Sequence, residues 1–471
     1  MRDFQNEALS HDPIHGYIPF TSGRDRSGSE PTERDVIDHP WVQRLRQIHQ
    51  LQTAWWVFPT AEHTRFQHVL GVMHLASRAT SALYESLAGV CADVPSRGYV
   101  TTLMRMAGLL HDVGHGPFGH FLDEHLLSDY GLTHETLGAA VIRRELAPLL
   151  RGLRGNPESR LADDEHLDPE QICFLIQRPR EADDVLGNGN PAPRWLRFLR
   201  SLFCGIYTVD NMDFVLRDAY MTGFNTKAFD LDRLLHYSFF SERGLTIHAR
   251  GMPALVRFIG VRAELFRSIY FHRTVRAIDL TLEDLFKESK TFLFPVSPLA
   301  DLPRYQRFTE WSLLIDVARW PEAEDTSQRE VGKHWSDLLA RRRRWTMAAE
   351  RTVFSSPAFG ERGTIFSKAD FFEQALRELL PRELKQIPLR VDLARHIHRP
   401  GTRGAAAGQN FLFDGARNRI QDLNDHELYR SIPMSYRLCR VYAETNEYHS
   451  ALATALDTLV GPNEIDDRTN M

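Results

Sequence analysis

The stretch HDVGHGPFGHFLDEH, His111 to His125, decides how this chain is read. Ionisable side chains crowd it: His111, Asp112, His115, His120 and Asp123, with His134 shortly beyond. Each would cost desolvation in a plain core, so such a cluster points to chemistry rather than packing. The stretch follows Leu103, Met106, Ala107 and Leu110, whose three- and four-residue steps predict an amphipathic helix ending at Leu109-Leu110. An adjacent His-Asp pair at a helix end offers a neutral imidazole and a carboxylate to one cation, provided the backbone turns there. Gly114, Gly116, Pro117 and Gly119 supply that turning capacity. A lone His-Asp dipeptide is ordinarily a surface feature; the surrounding cluster is what changes the balance.

A filled protein shell needs two more ligands. His68 is one candidate, on a helix predicted from Val69, Val72, Met73 and Ala76. The segment YTVDNMDFVLRD, Tyr207 to Asp218, offers the other, and spacing does not choose between Asp210 and Asp213. Two histidines and two aspartates suit Zn, Fe or Mn, and are compatible with Mg or Ni. Open positions on such an ion hold a water and a phosphate oxygen.

The rest of the chain bounds the class. Its 471 residues are 42% hydrophobic and 25% charged, a globular balance. The net charge is −5, so no global basic field advertises nucleic-acid binding, and an anionic substrate must be held by local positive charge. Cys91, Cys173, Cys204 and Cys439 are far apart and form no CxxC pair, which reads as reduced thiols of a cytoplasmic protein. The N-terminus lacks an apolar signal core, and no long uncharged apolar run predicts a membrane span. The pattern is mostly helical. Leu245 to Ala249 reads as one edge of a small hairpin, and Thr53 to Phe58 as extended or loop. Thr21–Asp35, Arg178–Arg194 and Arg399–Gln409 read as exposed loops, Trp320–Lys333 as a surface connection, and Asp466–Met471 as a frayed end. From about Lys287 onward the sequence reads as further helices.

With these residues on the page, the chain resembles the HD-domain deoxynucleoside triphosphate triphosphohydrolases, nearest the branch of the vertebrate sterile-alpha-motif/HD enzyme and its bacterial dNTPase and dGTPase homologues. DPIHGYI (Asp12 to Ile18), QRLRQIHQL (Gln43 to Leu51), VFPTAEHTRFQHVLGVMHLA (Val57 to Ala76) and HDVGHGPFGHFLD (His111 to Asp123) carry the likeness. Thr133-His-Glu135, Val209 to Gly223 and Arg267 to Arg273 follow in order. The likeness spans about the first 290 residues; together these motifs are far more specific than any one of them. It implies a mainly α fold: an HD-domain helical core over 1–290 with additional helices and a small β-hairpin, and a C-terminal, mostly helical region over 291–471 packing on it.

The resemblance places the metal ligands at His68, His111, Asp112 and Asp210. It places the catalytic cluster at His115, His120, Asp123 and His134. Arg65 and Arg262 fall on triphosphate contacts, and Gln50, Leu51, Asp218 and Tyr270 on positions around the deoxyribose. His120 becomes the general acid, oriented by Asp123. The implied cofactor is one divalent metal ion per subunit (Mn, Fe, Zn, Mg or Ni), with a further Mg on the triphosphate. The implied partners are a dNTP substrate, a nucleotide activator and copies of the chain itself, as a dimer, tetramer or hexamer. Asp38, Gln43 and Arg46 match guanine-binding positions of the activator site, whereas Ala8 and His11 do not match its Lys and Asn. Asn211 replaces a phosphate-binding Lys and Phe214 a Tyr; each lost charge-assisted contact is worth roughly 1.5–3 kcal/mol.

Other features carry blander readings. The run Arg341 to Arg344 reads as a solvated helix face more readily than a nucleic-acid contact. His63 reads as structural or supporting, His15 as fixing a turn, and Trp55 and Trp56 as core or interface. The competing functions are an HD phosphohydrolase of another nucleotide (monophosphate, cyclic or oligonucleotide) and a non-catalytic nucleotide or nucleic-acid binder.

Overall fold

The computed structural model describes residues 6–23, 30–178, 192–355, 368–397, 411–433 and 435–461. The loop at Arg399–Gln409, most of that at Arg178–Arg194, part of Thr21–Asp35 and the end Asp466–Met471 lie outside the described residues. Helices dominate, as the periodicity requires.

The chain divides into two compact units. The first comprises Met1–Val261, Phe294–Ile315 and Gly401–Arg430. Its longest helix, Arg65–Val90, begins in a capping box between Thr64 and Gln67 and buries His68, Val69, Val72, Met73 and Ala76. The helix Arg97–Leu110 packs along it, capped by Ser96, whose hydroxyl accepts the Tyr99 N–H. Leu103, Met106, Ala107 and Leu110 are fully buried. Burial of each Leu or Met stabilises by about 1.5–3 kcal/mol, and this is what fixes His111 and Asp112 at the helix end. Helix Val209–Met221 packs against the same long helix and carries Asp210 in its first turn.

Strands β1 (Glu7–Asp12) and β2 (Gly16–Thr21) form an antiparallel hairpin. Its turn is held by Asp12 Oδ1, which accepts the N–H groups of Ile14 and His15 at 2.9 Å each. The expected hairpin strand near Leu245 is present as β4 (Gly244–His248), paired with β3 (Ser238–Ser241). It is not an edge: β7 (Phe411–Asp414) lies parallel on its other side, followed by β8 (Arg419–Asp422). Thr53–Phe58 is neither strand nor open loop but contains a 3-10 turn at Ala54–Trp56.

The second unit comprises Arg262–Leu293, Asp316–Pro400 and Ser431–Met471. Here the helices expected of the C-terminal third are joined by a sheet that the sequence did not announce. Strands β5 (Thr346–Ser355), β6 (Leu389–Ile397) and β9 (Ser435–Ala443) form an antiparallel sheet with β9 central. Helices Ala369–Leu379 and His449–Val460 seal one face through Phe372, Leu376, Leu452 and Leu456. Helix Arg273–Leu293 meets Trp345 and Tyr442 through Ala277 and Leu280. Because β9 is buried along nearly its whole length, it loses the polar alternation that marks a strand. The Arg341–Arg344 run is also not helical. Helix Thr326–Leu339 stops before it, Arg341 takes φ +61°, and the exposed run turns the chain into β5. Trp320–Lys333 is largely ordered helix, entered through a turn at Trp320–Glu322 and capped by Asp325.

All four cysteines are free and buried. Among the described residues no helix is long and apolar enough to cross a membrane.

Candidate metal centre

Four side chains, carried by helix Arg65–Val90, by the turn that ends helix Arg97–Leu110 and by helix Val209–Met221, lie near one another within the first unit. His68 Nε2 lies 3.1 Å from Asp210 Oδ1, and His111 Nε2 lies 3.7 Å from the same oxygen and 3.3 Å from Asp112 Oδ1. The ligand atoms of His68, His111 and Asp112 lie within 4.8 Å of one another. The other ring nitrogens are committed elsewhere. His111 Nδ1 sits 2.9 Å from the Gly108 carbonyl, so it carries the proton and leaves the Nε2 lone pair free. That Nε2 is buried without a hydrogen-bond partner. Asp112 Oδ2 accepts from Arg65 Nη1 at 2.6 Å, which leaves Oδ1 on the histidine side. A buried, partnerless imidazole nitrogen beside two carboxylates is a donor set that fits a divalent cation.

The structure separates the two aspartates that spacing could not. Asp213 lies behind His68, with Oδ2 at 2.8 Å from Nδ1, while Asp210 lies in front of Nε2. Asp213 is itself clamped by Arg217 at 2.8 and 2.9 Å and by His15 Nε2 at 2.7 Å. Arg217 reaches on to Asp12 at 2.7 Å. This network gives the DPIHG motif a physical role: it orients the first candidate ligand from behind.

The electrostatics follow. Burial alone would depress the His68 imidazole, but hydrogen bonds from Asp210 and Asp213 outweigh it and hold it up at about 10. Burial would raise Asp112, yet His111, Arg65 and His68 keep its carboxyl below the ordinary range. Asp210 is likewise held well down despite burial, by His111 and His68. These carboxylates are therefore charged at neutral pH.

Beside this centre sits the histidine cluster. The ligand atoms of His115, His120, Asp123 and His134 lie within 4.8 Å of one another. His115 and His134 stack with ring centroids 3.8 Å apart, and His120 approaches His115 edge-on at 4.8 Å. Burial, aided by the charges of Arg65 and the neighbouring histidines, pushes His115 well below the ordinary imidazole range, so it is neutral. Both its ring nitrogens are buried without partners. Asp123 pairs tightly with His134 Nδ1 and reaches His120 Nδ1 at 3.4 Å. The expected orienting partner of His120 is thus shared, and His134 holds the shorter contact. The His120 side chain is 66% exposed, in position to meet a ligand.

The glycine-rich loop is shaped by close approach. A Cβ on Gly114 would stand 2.0 Å from the His134 carbonyl oxygen, and one on Gly119, at φ +56°, 2.2 Å from Arg65 Nη2. Side chains at these places would push away His134 and Arg65. Residues that sequence reasoning passed over pin the loop. Arg44 donates to the carbonyls of His115, Tyr305, Gln306 and Phe308, and Tyr305 Oη donates to the Gly114 carbonyl at 3.0 Å. Glu310 holds His49 Nδ1 at 2.8 Å. No local motif signals these partners; only the 262-residue separation between Arg44 and Gln306, closed by the fold, reveals them.

The expected substrate residues divide between the units. In the first, Arg65, Gln50, Leu51 and Asp218 are at least half-buried, and Gln50 Oε1 has no hydrogen-bond partner. Asp218 Oδ1 meets His63 Nε2 at 2.7 Å. Asn211 and Phe214 lie half-buried on the Asp210 helix. Arg262, in the last turn of helix Met252–Leu265, and Tyr270, closing the π-turn Phe266–Tyr270, belong to the second unit.

Residues 65–182 match the HD domain family. The deoxynucleoside triphosphate triphosphohydrolase SAMHD1 of Homo sapiens is 30% identical over 60% of this chain and 45% of its own length. Its homolog in Dictyostelium discoideum is 26% identical over 68% of this chain and 57% of its own. The chain therefore spans about half the length of these relatives. A crystal structure of a hypothetical protein from Aquifex aeolicus shares the fold, with a TM-score of 0.67 over 96% of this chain and 100% of that one, at 24% identity.

Proposed function

We propose that this chain, an HD-domain protein homologous to the SAMHD1-like triphosphohydrolases, hydrolyses deoxynucleoside triphosphates to deoxynucleoside and inorganic tripolyphosphate. The observation that supports the reading is the approach of His68, His111 and Asp112 to within 4.8 Å of one another, with Asp210 against both histidines and a stacked histidine cluster beside them. A divalent ion (Mn, Fe, Zn, Mg or Ni) bound by those four residues supplies Lewis acidity, acidifying a water and offsetting charge on phosphoryl oxygens.

The chain's own residues do the rest. Arg65, already charged and fixed on Asp112, presents guanidinium N–H groups to phosphate oxygens. His115, neutral and buried, offers one ring N–H to an α-phosphate oxygen. Water loses a proton to solvent and its oxygen joins the α-phosphorus, the bond to the nucleoside 5′-oxygen breaks, and His120 gives that oxygen a proton and regains one from solvent. Asp123 steadies the resulting imidazole through its contact with His120, while His134 holds Asp123. Gln50, Leu51 and Asp218 surround the sugar; the motif resemblance assigns Arg262 to the triphosphate and Tyr270 to the sugar. The motif resemblance extends the proposal to a homo-oligomer in the cytoplasm, with a nucleotide as activator, dGTP among its substrates and a second Mg travelling with the triphosphate.

The test is a panel of the four dNTPs, GTP and a 5′-monophosphate, each with Mn²⁺ and product analysis. Tripolyphosphate release supports the reading. Orthophosphate as the sole phosphorus product refutes it and favours phosphohydrolysis of another nucleotide. Half-buried Asn211 and Phe214, which remove a cation and a hydroxyl from the expected triphosphate shell, give that second reading its support.

A further inference from the structure

Resting on the triphosphohydrolase reading, we propose that His63 is a positioning residue that aims Asp218 at the 3′-hydroxyl of the bound deoxynucleotide. His63 and Asp218 are each 1% exposed, and His63 Nε2 stands 2.7 Å from Asp218 Oδ1. A carboxylate only accepts, so Nε2 carries the proton and donates it. The two residues are 155 positions apart, so the bond ties the segment before helix Arg65–Val90 to helix Val209–Met221.

The same residue is also tied to Gln50. The Gln50 N–H donates to the His63 carbonyl at 3.0 Å, and the flanking pair His49 and Thr64 form a β-bridge. His63 thus links Gln50 through its backbone and Asp218 through its ring. Gln50 Oε1 and His63 Nδ1 are both buried without a hydrogen-bond partner. A deoxynucleoside 5′-triphosphate has a single free sugar hydroxyl, at C3′. That hydroxyl donates best to a carboxylate held at a fixed angle, because charge-assisted bonds are sensitive to geometry.

The experiment compares kcat/KM for the best-used dNTP and its 2′,3′-dideoxy counterpart, in wild type and in His63→Phe and His63→Gln. Phenylalanine keeps the ring volume and removes the donor; the glutamine amide restores an N–H at similar reach. Wild type should favour the 3′-hydroxyl substrate by about ten- to hundredfold, the worth of a hydrogen bond to a charged group. His63→Phe should bring that ratio within about threefold of unity, mainly by raising KM for the natural substrate, and His63→Gln should keep most of it. Should His63→Phe fail to fold, His63→Ala takes its place. A wild type without preference, a donor-free variant with the wild-type ratio, or a glutamine variant as poor as the phenylalanine one each overturns the proposal. A wild type that releases no tripolyphosphate from any dNTP overturns the underlying function and this inference with it, a result distinct from the other three.

Discussion

Removing Asp210 and removing Asp213 should have opposite consequences, although the two lie three residues apart on one helix. Asp213 is fully buried and receives Arg217 at 2.8 and 2.9 Å, His15 at 2.7 Å and His68 at 2.8 Å. Those partners hold its carboxyl well below the ordinary range against a burial effect that would raise it. Asp213→Ala leaves Arg217 in the interior with only Asp12, and leaves two imidazoles without their acceptor. Breaking a buried ion pair from one side costs about 3–5 kcal/mol. The Asp210 side chain is 33% exposed and meets His68 at 3.1 Å. Its removal from metal-free protein should cost about 1.5–3 kcal/mol, the worth of a hydrogen bond to a charged group, and less than the loss of Asp213. Metal content reverses the order: Asp210→Ala should bind no ion while keeping its fold. The assay is urea denaturation of chelator-treated protein, with the slope checked for constancy, beside elemental analysis of metal-reconstituted protein. Equal destabilisation by the two substitutions, or full metal content in Asp210→Ala, would refute the assignment of one aspartate to the front of His68 and the other to its back.

Further outcomes follow from the same geometry. Asp112→Ala should lose both bound metal and turnover while the circular dichroism of the fold is kept; an active variant refutes the metal centre. His120→Ala should keep its metal and lose turnover by about 10²–10⁴-fold, the range of a general acid, read by elemental analysis beside a rate assay. Gly71→Ala should lower the melting temperature, because its Cβ would stand 2.0 Å from Asp213 Oδ1 and 2.3 Å from Arg217 Nη2; overpacking of this kind costs about 1–3 kcal/mol, and an unchanged melt refutes the clamp. His74 is held down at about 4 by burial, with His15, Arg105 and Arg78 adding to the effect. Its folded value lies below the ordinary 6.5, so the unfolded chain binds the extra proton between these values and stability falls as pH drops from 6.5 toward 4. His74→Leu should flatten that slope in urea midpoints measured at pH 7 and pH 5.

The candidate metal centre was legible in sequence because its information lies in residue type: His111-Asp112 at a helix end and a histidine cluster around a glycine-rich turn need no tertiary knowledge to be noticed. Choosing between Asp210 and Asp213 did need it. Spacing on a helix cannot say which ring nitrogen of His68 each carboxylate faces, and the motif resemblance, not the residues, made that choice. The orientation of the cluster was legible only in outline, since Asp123 divides itself between His120 and His134 and closes more tightly on the latter. The β5–β9–β6 sheet was illegible for a different reason. Strands buried on both faces, such as β9 with Leu438, Cys439, Val441 and Tyr442 all covered, present apolar runs that helical periodicity absorbs.

The support around the centre explains why its residues are scattered along the chain. A metal ligand must be neutral or anionic and held at a fixed angle, yet His68 on its own would be a flexible, solvated base. Burial removes solvent and supplies rigidity, but it also penalises charge, so the buried carboxylates Asp112 and Asp213 each keep an arginine. Asp112 has Arg65; Asp213 has Arg217, which in turn has Asp12. Each added charge calls for another, until the series ends at the Asp12 turn of the N-terminal hairpin, where backbone N–H groups of Ile14 and His15 close it. The N-terminal DPIH segment is thus the far end of one electrostatic arrangement whose near end is the face of His68 turned toward Asp210.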